Sequence, residues 1–174
     1  IDTSMGFTPS GGIPMGTRSG DLDPGVVEFM MQHEQLTTAQ IKHLVNHESG
    51  LLGVSETSSD MRDLIKYEST DNRAAEAVEL FCYQVKKHIG AYSAALSGLD
   101  TLVFAGGIGE NAATVRARIC SGLEFLGIEI EDQNNANNAE IISTKNSRVT
   151  VRVMHTDEEL MLATTVCRVL NLAN

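Results

Sequence analysis

Apolar and polar residues alternate with a helical period through the middle of the chain. From Thr70 to about Ser97, apolar side chains recur every three or four residues, and charged residues fall between them. This spacing predicts one long amphipathic helix, closed by Gly98. The apolar positions of its buried face are Ala74, Val78, Phe81, Val85, Ile89, Tyr92 and Leu96.

Start signals predict two further helices in the first third of the chain. Asp23 followed by Pro24 is typical of an N-cap and a first helical residue, and a helix of about ten residues is expected after it. Thr37 with Gln40 three residues later predicts a capping box, and Gly50 is expected to stop that second helix. Residues 50–64 are expected to form a loop that leads into a short helix.

Two short apolar runs predict strands that pair in parallel. The run "TLVFAGG" is almost continuously apolar, as is typical of a strand buried on both faces. The run "VTVRVMH" predicts a second strand, which enters a helix through a capping box of Thr156 and Glu159. Strands that alternate with helices favour an α/β layer with a parallel pair formed by 101–105 and 149–154. Weaker patterns predict strands at 1–5 and 127–131, a helix at 111–126 and an Asn-rich surface loop at 132–140.

So few strands predict an incomplete sheet rather than a free-standing one. The chain also begins at Ile1, without an initiator methionine. Both observations favour the interpretation that these residues are part of a longer protein, with partner strands upstream.

Composition narrows the function classes. A chain of 174 residues with 42% hydrophobic and 21% charged residues is typical of one soluble domain. The net charge of −10, without a basic cluster, disfavours a nucleic acid partner. No apolar run approaches the roughly 18 to 20 residues that cross a membrane, so a cytoplasmic location is expected. Cys82, Cys120 and Cys167 lie far apart among apolar residues, and we expect them to be buried structural thiols.

Glycines directly follow the first predicted strand, at Gly106, Gly107 and Gly109. Exposed backbone N–H groups at the carboxyl end of a strand suit a phosphate group. A tight turn with Asn111 as a helix cap is an equally acceptable interpretation of the glycines alone. Gly107, Gly109 and Ala112 also match the dinucleotide fingerprint, with Glu129 or Glu131 as the ribose ligand, which keeps a nicotinamide-dependent oxidoreductase open.

Other charged residues occupy element boundaries, where ligands commonly bind. Arg18 lies in a glycine-flanked loop, Asp60 and Arg62 begin a short helix, and Glu158 lies in the first turn of the last helix. A surface salt bridge is the simplest interpretation of any one of them, but the four together indicate a nucleotide, phosphate and metal site. By contrast, His43 and His47 lack a third zinc ligand and are expected to be exposed helix residues, and a structural role is favoured for His155.

Taken in order along the chain, five segments resemble the acetate kinases and the related propionate and butyrate kinases. These are "DTSMGFTP", "MGTRSGDLDPG", "GLLGVSETSSDMRDL", "VFAGGIGENAATVR" and "HTDEELMLA". The resemblance covers all 174 residues. It implies an α/β fold that is part of a ribonuclease-H-like domain of the actin and sugar-kinase superfamily, with an incomplete central sheet flanked by helices.

The resemblance also implies an activity and a site. The reaction is reversible phosphoryl transfer between ATP and acetate, giving ADP and acetyl phosphate, with Mg²⁺ as the metal. Arg18 resembles the arginine that steadies the phosphoryl group, and Glu158 resembles the acidic residue that serves Mg²⁺. Asp60, Met61 and Arg62 resemble the adenosine-binding segment. The loop that holds the nucleotide is matched by Gly107, Ile108, Gly109, Glu110 and Asn111.

The family is about twice this length and is dimeric, so further expectations follow from the resemblance. Residues 1–174 would form the carboxy-terminal, nucleotide-side domain of a homodimer, with the amino-terminal domain and most of the acyl pocket absent. Such a fragment is expected to be inactive alone. A third function class, a non-catalytic dimerisation module, is compatible with the first.

Overall fold

The computed structural model describes residues 1–172, which contain nine α-helices and one two-stranded sheet. No helix among these residues is both long enough and apolar enough to span a bilayer. In chain order the elements are α1 (Pro24–Gln32), α2 (Thr38–His47), α3 (Gly50–Ser55), α4 (Met61–Tyr67), α5 (Asn72–Ala95), β1 (Thr101–Phe104), α6 (Gly106–Asn111), α7 (Ala113–Cys120), α8 (Asp132–Ala136), β2 (Thr150–Val153) and α9 (Glu158–Val169).

The sheet consists of β1 and β2, which run parallel, as the sequence predicts. Thr101 pairs with Thr150 at one end of the sheet, and Phe104 pairs with Val153 at the other. The expectation that β1 is buried on both faces is wrong. Phe104 is buried in the core, whereas Val103 on the opposite face is 45% exposed. Alternate side chains of a strand point to opposite faces, and only one face of this sheet packs on the core.

The long helix α5 organises the core. Asp71 caps its first turn by accepting hydrogen bonds from two backbone N–H groups, and Gly98, with φ of +144°, follows its end. The predicted stripe is confirmed from Ala74 to Ile89, because Ala74 and Val78 are buried and the apolar residues one to three turns later pack against the same cluster. Its last position is wrong, since Leu96 follows the end of the helix and is 48% exposed. Helices α3, α4 and α7 pack on α5 and complete the hydrophobic cluster.

Two of the three cysteines belong to this core, as expected. Cys82 and Cys120 are buried free thiols, whereas the expectation of burial is wrong for Cys167, a half-buried free thiol. Burial raises the pKa of Cys82 to about 11 and that of Cys120 to about 12. Both therefore stay protonated near neutral pH, which suits packing rather than metal binding.

Predicted helix starts are confirmed at both α1 and α2. Asp23 accepts a hydrogen bond from the N–H of Gly25, and Pro24 begins α1. Thr37 and Gln40 form the predicted capping box at the start of α2. In both helices the residues that predict the start lie within four residues of one another.

Several weaker predictions are wrong. Residues 1–5 form no strand, and within the described residues they pair with neither β1 nor β2. The segment 127–131 contributes only an isolated bridge from Ile130 to Ser143. The helix expected over 111–126 is interrupted at Ala112 and ends at Cys120, before Gly122 adopts a φ of +79°.

Two predicted loops are instead helical. Residues 50–55 form α3, and the Asn-rich segment contains α8, whose Asn135 is buried. Both helices depend on contacts with distant segments. Those contacts also shape the candidate site.

Candidate functional site

The loop that carries Arg18 also caps a helix. At the start of α3, the backbone N–H of Leu51 donates to the carbonyl of Met15 at 2.9 Å, and the N–H of Leu52 donates to that of Gly16 at 2.9 Å. The N–H of Ser49 donates to Thr17 at 3.0 Å. Free N–H groups at a helix N-terminus need such acceptors, and here the loop of residues 15–17 supplies them. Three hydrogen bonds therefore hold residues 15–17 against the start of α3.

Gly50 allows this close approach. Its φ of +61° lies in the left-handed region, and a Cβ atom there would lie 2.1 Å from the carbonyl oxygen of Met15. The same atom would lie 2.5 Å from the carbonyl oxygen of Arg18. No side chain fits at this distance, so glycine is required behind the arginine loop.

Arg18 is half-buried and lines a cavity of about 950 Å³. Its guanidinium contacts the sulfur of Met15, and within residues 1–172 no carboxylate lies within ion-pair distance of it. Lys42 and His47 line the same cavity. An arginine without an acidic partner in a cavity with a second cation is suited to bind an anion.

Asp60 and Arg62 form a compact charged turn at the start of α4. The carboxylate of Asp60 accepts a hydrogen bond from the backbone N–H of Arg62 and pairs with its guanidinium, with Nη2 lying 2.6 Å from Oδ2. These bonds from Arg62 hold the pKa of Asp60 at about 2, so the aspartate is charged at neutral pH. Met61 between them is buried in the core and anchors the turn.

A second cavity, of about 740 Å³, brings two predicted segments together. The Asp60–Arg62 turn forms one side, and Gly107, Ile108 and Asn111 of α6 form the other. Ser59 lines this cavity and also the cavity that contains Arg18. The two cavities therefore adjoin at Ser59.

The first two glycines of α6 are open to a ligand. A Cβ atom on Gly106 or Gly107 would meet nothing within 4 Å, so packing among the described residues does not demand glycine there. Gly106 has a φ of +70°, which favours glycine for conformation, whereas Gly107 has no such constraint. Gly109 is different, because its Cβ would lie 3.2 Å from the backbone of Phe104. A ligand that approaches the backbone is a sufficient reason for the bare chain at Gly107.

The interpretation of Asn111 as a helix cap is wrong. Its side-chain amide donates to the carbonyl of Gly107 within α6, at 2.9 Å. The following helix, α7, begins after Ala112 without a side-chain cap.

Glu110 joins the turn after β1 to the segment after β2. Its Oε1 accepts hydrogen bonds from the N–H of Gly106 at 3.0 Å and from the N–H and hydroxyl of Thr156 at 2.9 Å each. Its Oε2 lies 2.7 Å from Nδ1 of His155. The side chain is only 16% exposed, against 82% for His155. Glu110 thus has a structural role that sequence reasoning missed, because its partners are 45 and 46 residues away.

This network shifts two pKa values in opposite directions. Hydrogen bonds from His155 and Thr156 lower the pKa of Glu110 to about 2, and the bond to Glu110 raises the pKa of His155 above 6.5. The stabilising contribution of Glu110 is complete above pH 4.5, its ordinary pKa, and is lost as the pH falls through about 2. That of His155 is complete below 6.5 and is lost as the pH rises through its raised pKa.

We therefore expect His155 to titrate above 6.5, and Glu110→Gln to return its pKa towards that value. The measurement is an NMR titration of the His155 ring protons. Glu140→Gln is the matched control, because it removes a surface carboxylate that pairs with Arg152 instead. Equal His155 pKa values in the parent and Glu110→Gln proteins would contradict the described pair.

Glu158 lies apart from Arg18, in a third cavity of about 580 Å³ formed by the start of α9. The predicted capping box of Thr156 and Glu159 is wrong, because Asp157 caps α9 by accepting from the N–H of Leu160. The hydroxyl of Thr156 instead donates to Glu110. The carboxylate of Glu158 makes no hydrogen bond or ion pair with any other residue that the structure describes.

The residues around Glu158 could hold a metal ion only together with ligands from a bound substrate. Among residues 1–172, no three His, Cys, Asp or Glu side chains cluster at a spacing that could hold a metal. Mg²⁺, however, commonly binds one or two carboxylates together with substrate phosphates, so the free Glu158 carboxylate is compatible with it. His43 and His47 are exposed, as expected, with ring centroids 5.1 Å apart.

Comparisons with known proteins agree on one family. Residues 1–164 match the family described as the Acetokinase family. The chain is 50% identical over 174 residues to an acetate kinase of Bacteroides fragilis, covering 98% of this chain and 44% of that protein. It is also 48% identical over 170 residues to a propionate kinase of Salmonella typhimurium, covering 97% of this chain and 42% of that protein.

The solved structures give the same result. The crystal structure of Porphyromonas gingivalis acetate kinase superposes with a TM-score of 0.92 at 45% identity, covering 98% of this chain and 44% of that one. The chain thus spans less than half the length of these relatives. The comparisons support the phosphotransferase interpretation and lend no support to the nicotinamide-dependent alternative. The chain belongs to the acetokinase family.

Proposed function

We propose that residues 1–174 form the carboxy-terminal, nucleotide-side domain of a cytoplasmic acetate kinase, within a ribonuclease-H-like fold of the sugar-kinase superfamily. The reaction is the reversible transfer of a phosphoryl group between ATP and acetate. One observation carries this proposal. The cavity that contains Arg18, which has no carboxylate partner among residues 1–172, adjoins at Ser59 the cavity between the Asp60–Arg62 turn and α6.

Arg18 is the residue that we assign to the phosphoryl group. Phosphoryl transfer depends mainly on alignment and on neutralising the charge of the equatorial oxygens. A guanidinium can donate two parallel hydrogen bonds to such oxygens, and no carboxylate among the described residues competes for this one. Gly50 and the carbonyls that cap α3 hold its backbone in place.

The second cavity is the proposed adenine nucleotide site. Asp60 and Arg62 offer a carboxylate and a highly exposed guanidinium to the nucleoside, and Met61 anchors their turn. On the other side, Gly107, Ile108 and Asn111 line the cavity, with the backbone of Gly107 open to a phosphate or ribose. Gly109 packs on Phe104, and Glu110 holds the loop rather than contacting the ligand.

Glu158 is the residue that would hold Mg²⁺, together with phosphate oxygens of the nucleotide. The metal would supply positive charge that stabilises the transferring phosphoryl group. Relatives named as acetate kinase and as propionate kinase are about equally similar to this chain, so acetate is proposed as one short carboxylate substrate of this class. We also propose a homodimer and an amino-terminal domain that completes the active site.

The proposal is tested by calorimetric titration of the chain with Mg-ADP, with NADH as the control ligand. Saturable binding of Mg-ADP is expected, with no binding of NADH. Arg62→Ala is expected to weaken binding about tenfold or more, because hydrogen bonds to charged groups are worth about 1.5–3 kcal/mol. Arg73→Ala is the matched control, since Arg73 is an exposed arginine paired with Glu56 and lies outside the cavity.

Two results would count against the proposal. Binding that is equally strong for NADH would favour a dinucleotide site. Equal losses in Arg62→Ala and Arg73→Ala would show that Mg-ADP does not bind between the Asp60–Arg62 turn and α6.

A further inference from the structure

The arginine of α7 at position 116 is a fully buried cation. Its side chain is 0% exposed, and no Asp or Glu lies within ion-pair distance of it among residues 1–172. Burial lowers its pKa from the ordinary value of an arginine. A guanidinium removed from water is costly unless its donors are fully occupied. Arg116 therefore needs a specific reason to lie inside the fold.

Neutral oxygens occupy all three nitrogen atoms of this guanidinium. Nη1 donates to the carbonyls of Gly109 at 2.8 Å and Glu110 at 3.0 Å. Nε donates to the side-chain oxygen of Asn135 at 2.8 Å, and Nη2 donates to its carbonyl at 2.7 Å. Nη2 also donates to the side-chain oxygen of Asn138 at 2.6 Å. The planar fork thus joins the end of α6 to α8 and the residues after it.

The Asn-rich segment is built to receive this arginine. The side-chain amide of Asn135 donates to the carbonyl of Ala113 at 2.9 Å, so both ends of its amide group are used. Asn138 has a φ of +51°, a conformation that asparagine tolerates better than most residues. These contacts explain a segment whose sequence alone predicts a surface loop.

Arg116 contacts the carbonyls of Gly109 and Glu110, which lie in the last turn of α6. The last carbonyl oxygens of a helix have no N–H donor within the helix, and a cation there is favourable. Helix α6 has only six residues, and its N-cap residue Ala105 offers no side-chain acceptor, so the helix depends on contacts such as those of Glu110 and Arg116. Arg116 supplies hydrogen bonds to its last turn from inside the core.

We propose that Arg116 is a positioning residue for the proposed nucleotide loop. By holding the carbonyls of Gly109 and Glu110, it fixes the orientation of α6 and hence the direction of the open backbone at Gly107. The Asn135 and Asn138 side chains hold Arg116 in turn. This inference rests on the proposed function for its consequence, nucleotide affinity, but not for its structural part.

The test compares Arg116→Lys with Arg118→Lys in the full chain. Arg118 lies on the same helix and makes a two-point ion pair with Glu68, at 2.7 Å for each bond, and it donates no hydrogen bond to α6. Hydrogen–deuterium exchange of residues 106–112 and the affinity for Mg-ADP are measured well below the unfolding temperatures. A lysine ammonium cannot span the same set of acceptors.

Arg116→Lys is expected to accelerate exchange at 106–112 about tenfold and to weaken Mg-ADP binding about tenfold, the equivalent of one lost charged hydrogen bond. Arg118→Lys is expected to lower the unfolding temperature while leaving both values within about twofold of the parent. A purely structural role would lower stability in both variants without this difference at the loop.

Asn138→Gly is the second variant, which removes one acceptor without straining the positive φ. It is expected to accelerate hydrogen–deuterium exchange of residues 106–112 by about threefold. If Arg116→Lys does not fold, this variant alone tests whether Arg116 positions α6. Loop exchange that is unchanged in the folded variants, or changed equally by Arg118→Lys, would overturn the inference. Faster loop exchange with unchanged Mg-ADP affinity would also overturn it. If the parent chain binds no Mg-ADP, the proposed function fails for this chain, and the exchange comparison alone decides whether Arg116 positions α6.

Discussion

Replacement of Gly50 by alanine is expected to lower the free energy of unfolding by about 3 kcal/mol. The left-handed φ of +61° costs about 1–2 kcal/mol for a residue with a Cβ. The new methyl group would lie 2.1 Å from the carbonyl oxygen of Met15, and the overlap adds about 1–3 kcal/mol of strain. Urea unfolding followed by circular dichroism measures the difference. The arginine loop and α3 are expected to loosen together, because each supplies the hydrogen bonds of the other.

Gly90→Ala is the matched control for that experiment. Gly90 lies inside α5, and a Cβ atom there would meet nothing within 4 Å. The same chemical change is therefore expected to stabilise the protein by about 0.5–1 kcal/mol, since alanine has the higher helix propensity. If Gly50→Ala unfolded at the same urea concentration as the parent, the close packing of 15–18 against α3 would be refuted.

The parts of the fold that sequence predicted are those set by nearby residues. Asp23 caps α1 within two residues, and the Thr37 capping box spans four. The apolar stripe of α5 repeats over about four turns, from Ala74 to Ile89, so one misread position does not change the prediction of a helix. The parallel pairing of β1 with β2 was also predictable, because helices separate the two strands in the chain.

The missed elements depend on contacts between distant segments. Helix α3 is capped by carbonyls of residues 15–17, and its own sequence carries no comparable start signal. Asn135 is buried because Arg116, 19 residues earlier, needs its oxygen atoms. Glu110 is held by His155 and Thr156, which lie 45 and 46 residues later in the chain. No local pattern reports such partners.

The candidate site shows the same division. The glycines after β1 and the charged turn at Asp60 were identifiable as residue types suited to phosphate and nucleoside. Their meeting in one cavity needed the structure, because α5 separates them in sequence. Arg116 donates hydrogen bonds to the carbonyls of Gly109 and Glu110 in α6. Its sequence context, a single arginine in an ordinary helix, does not predict these contacts.

The largest effect on activity is expected from Arg18→Ala in a chimera that supplies the rest of the active site. Its amino-terminal part is the region of the Bacteroides fragilis acetate kinase that precedes its match to this chain, joined at Ile1. The two proteins are 50% identical over the matched region, which favours a compatible junction. The parent chimera is expected to form acetyl phosphate from ATP and acetate. Arg18→Ala is expected to lower its kcat by about 10³-fold, the scale of an arginine that stabilises phosphoryl transfer.

Two variants of the chimera separate the role of the guanidinium from that of bulk charge. Arg18→Lys keeps one positive charge but loses the two-point geometry, so its loss is expected to fall between those of the parent and Arg18→Ala. Lys145→Ala removes a cation from an exposed position outside the cavities, and its kcat is expected to stay within about twofold of the parent. If Arg18→Ala kept a tenth of the parent kcat, the charge in the 950 Å³ cavity would not act on the transferring phosphoryl group. The Arg18 guanidinium would then serve mainly ground-state binding, which a rise in KM larger than the fall in kcat would report.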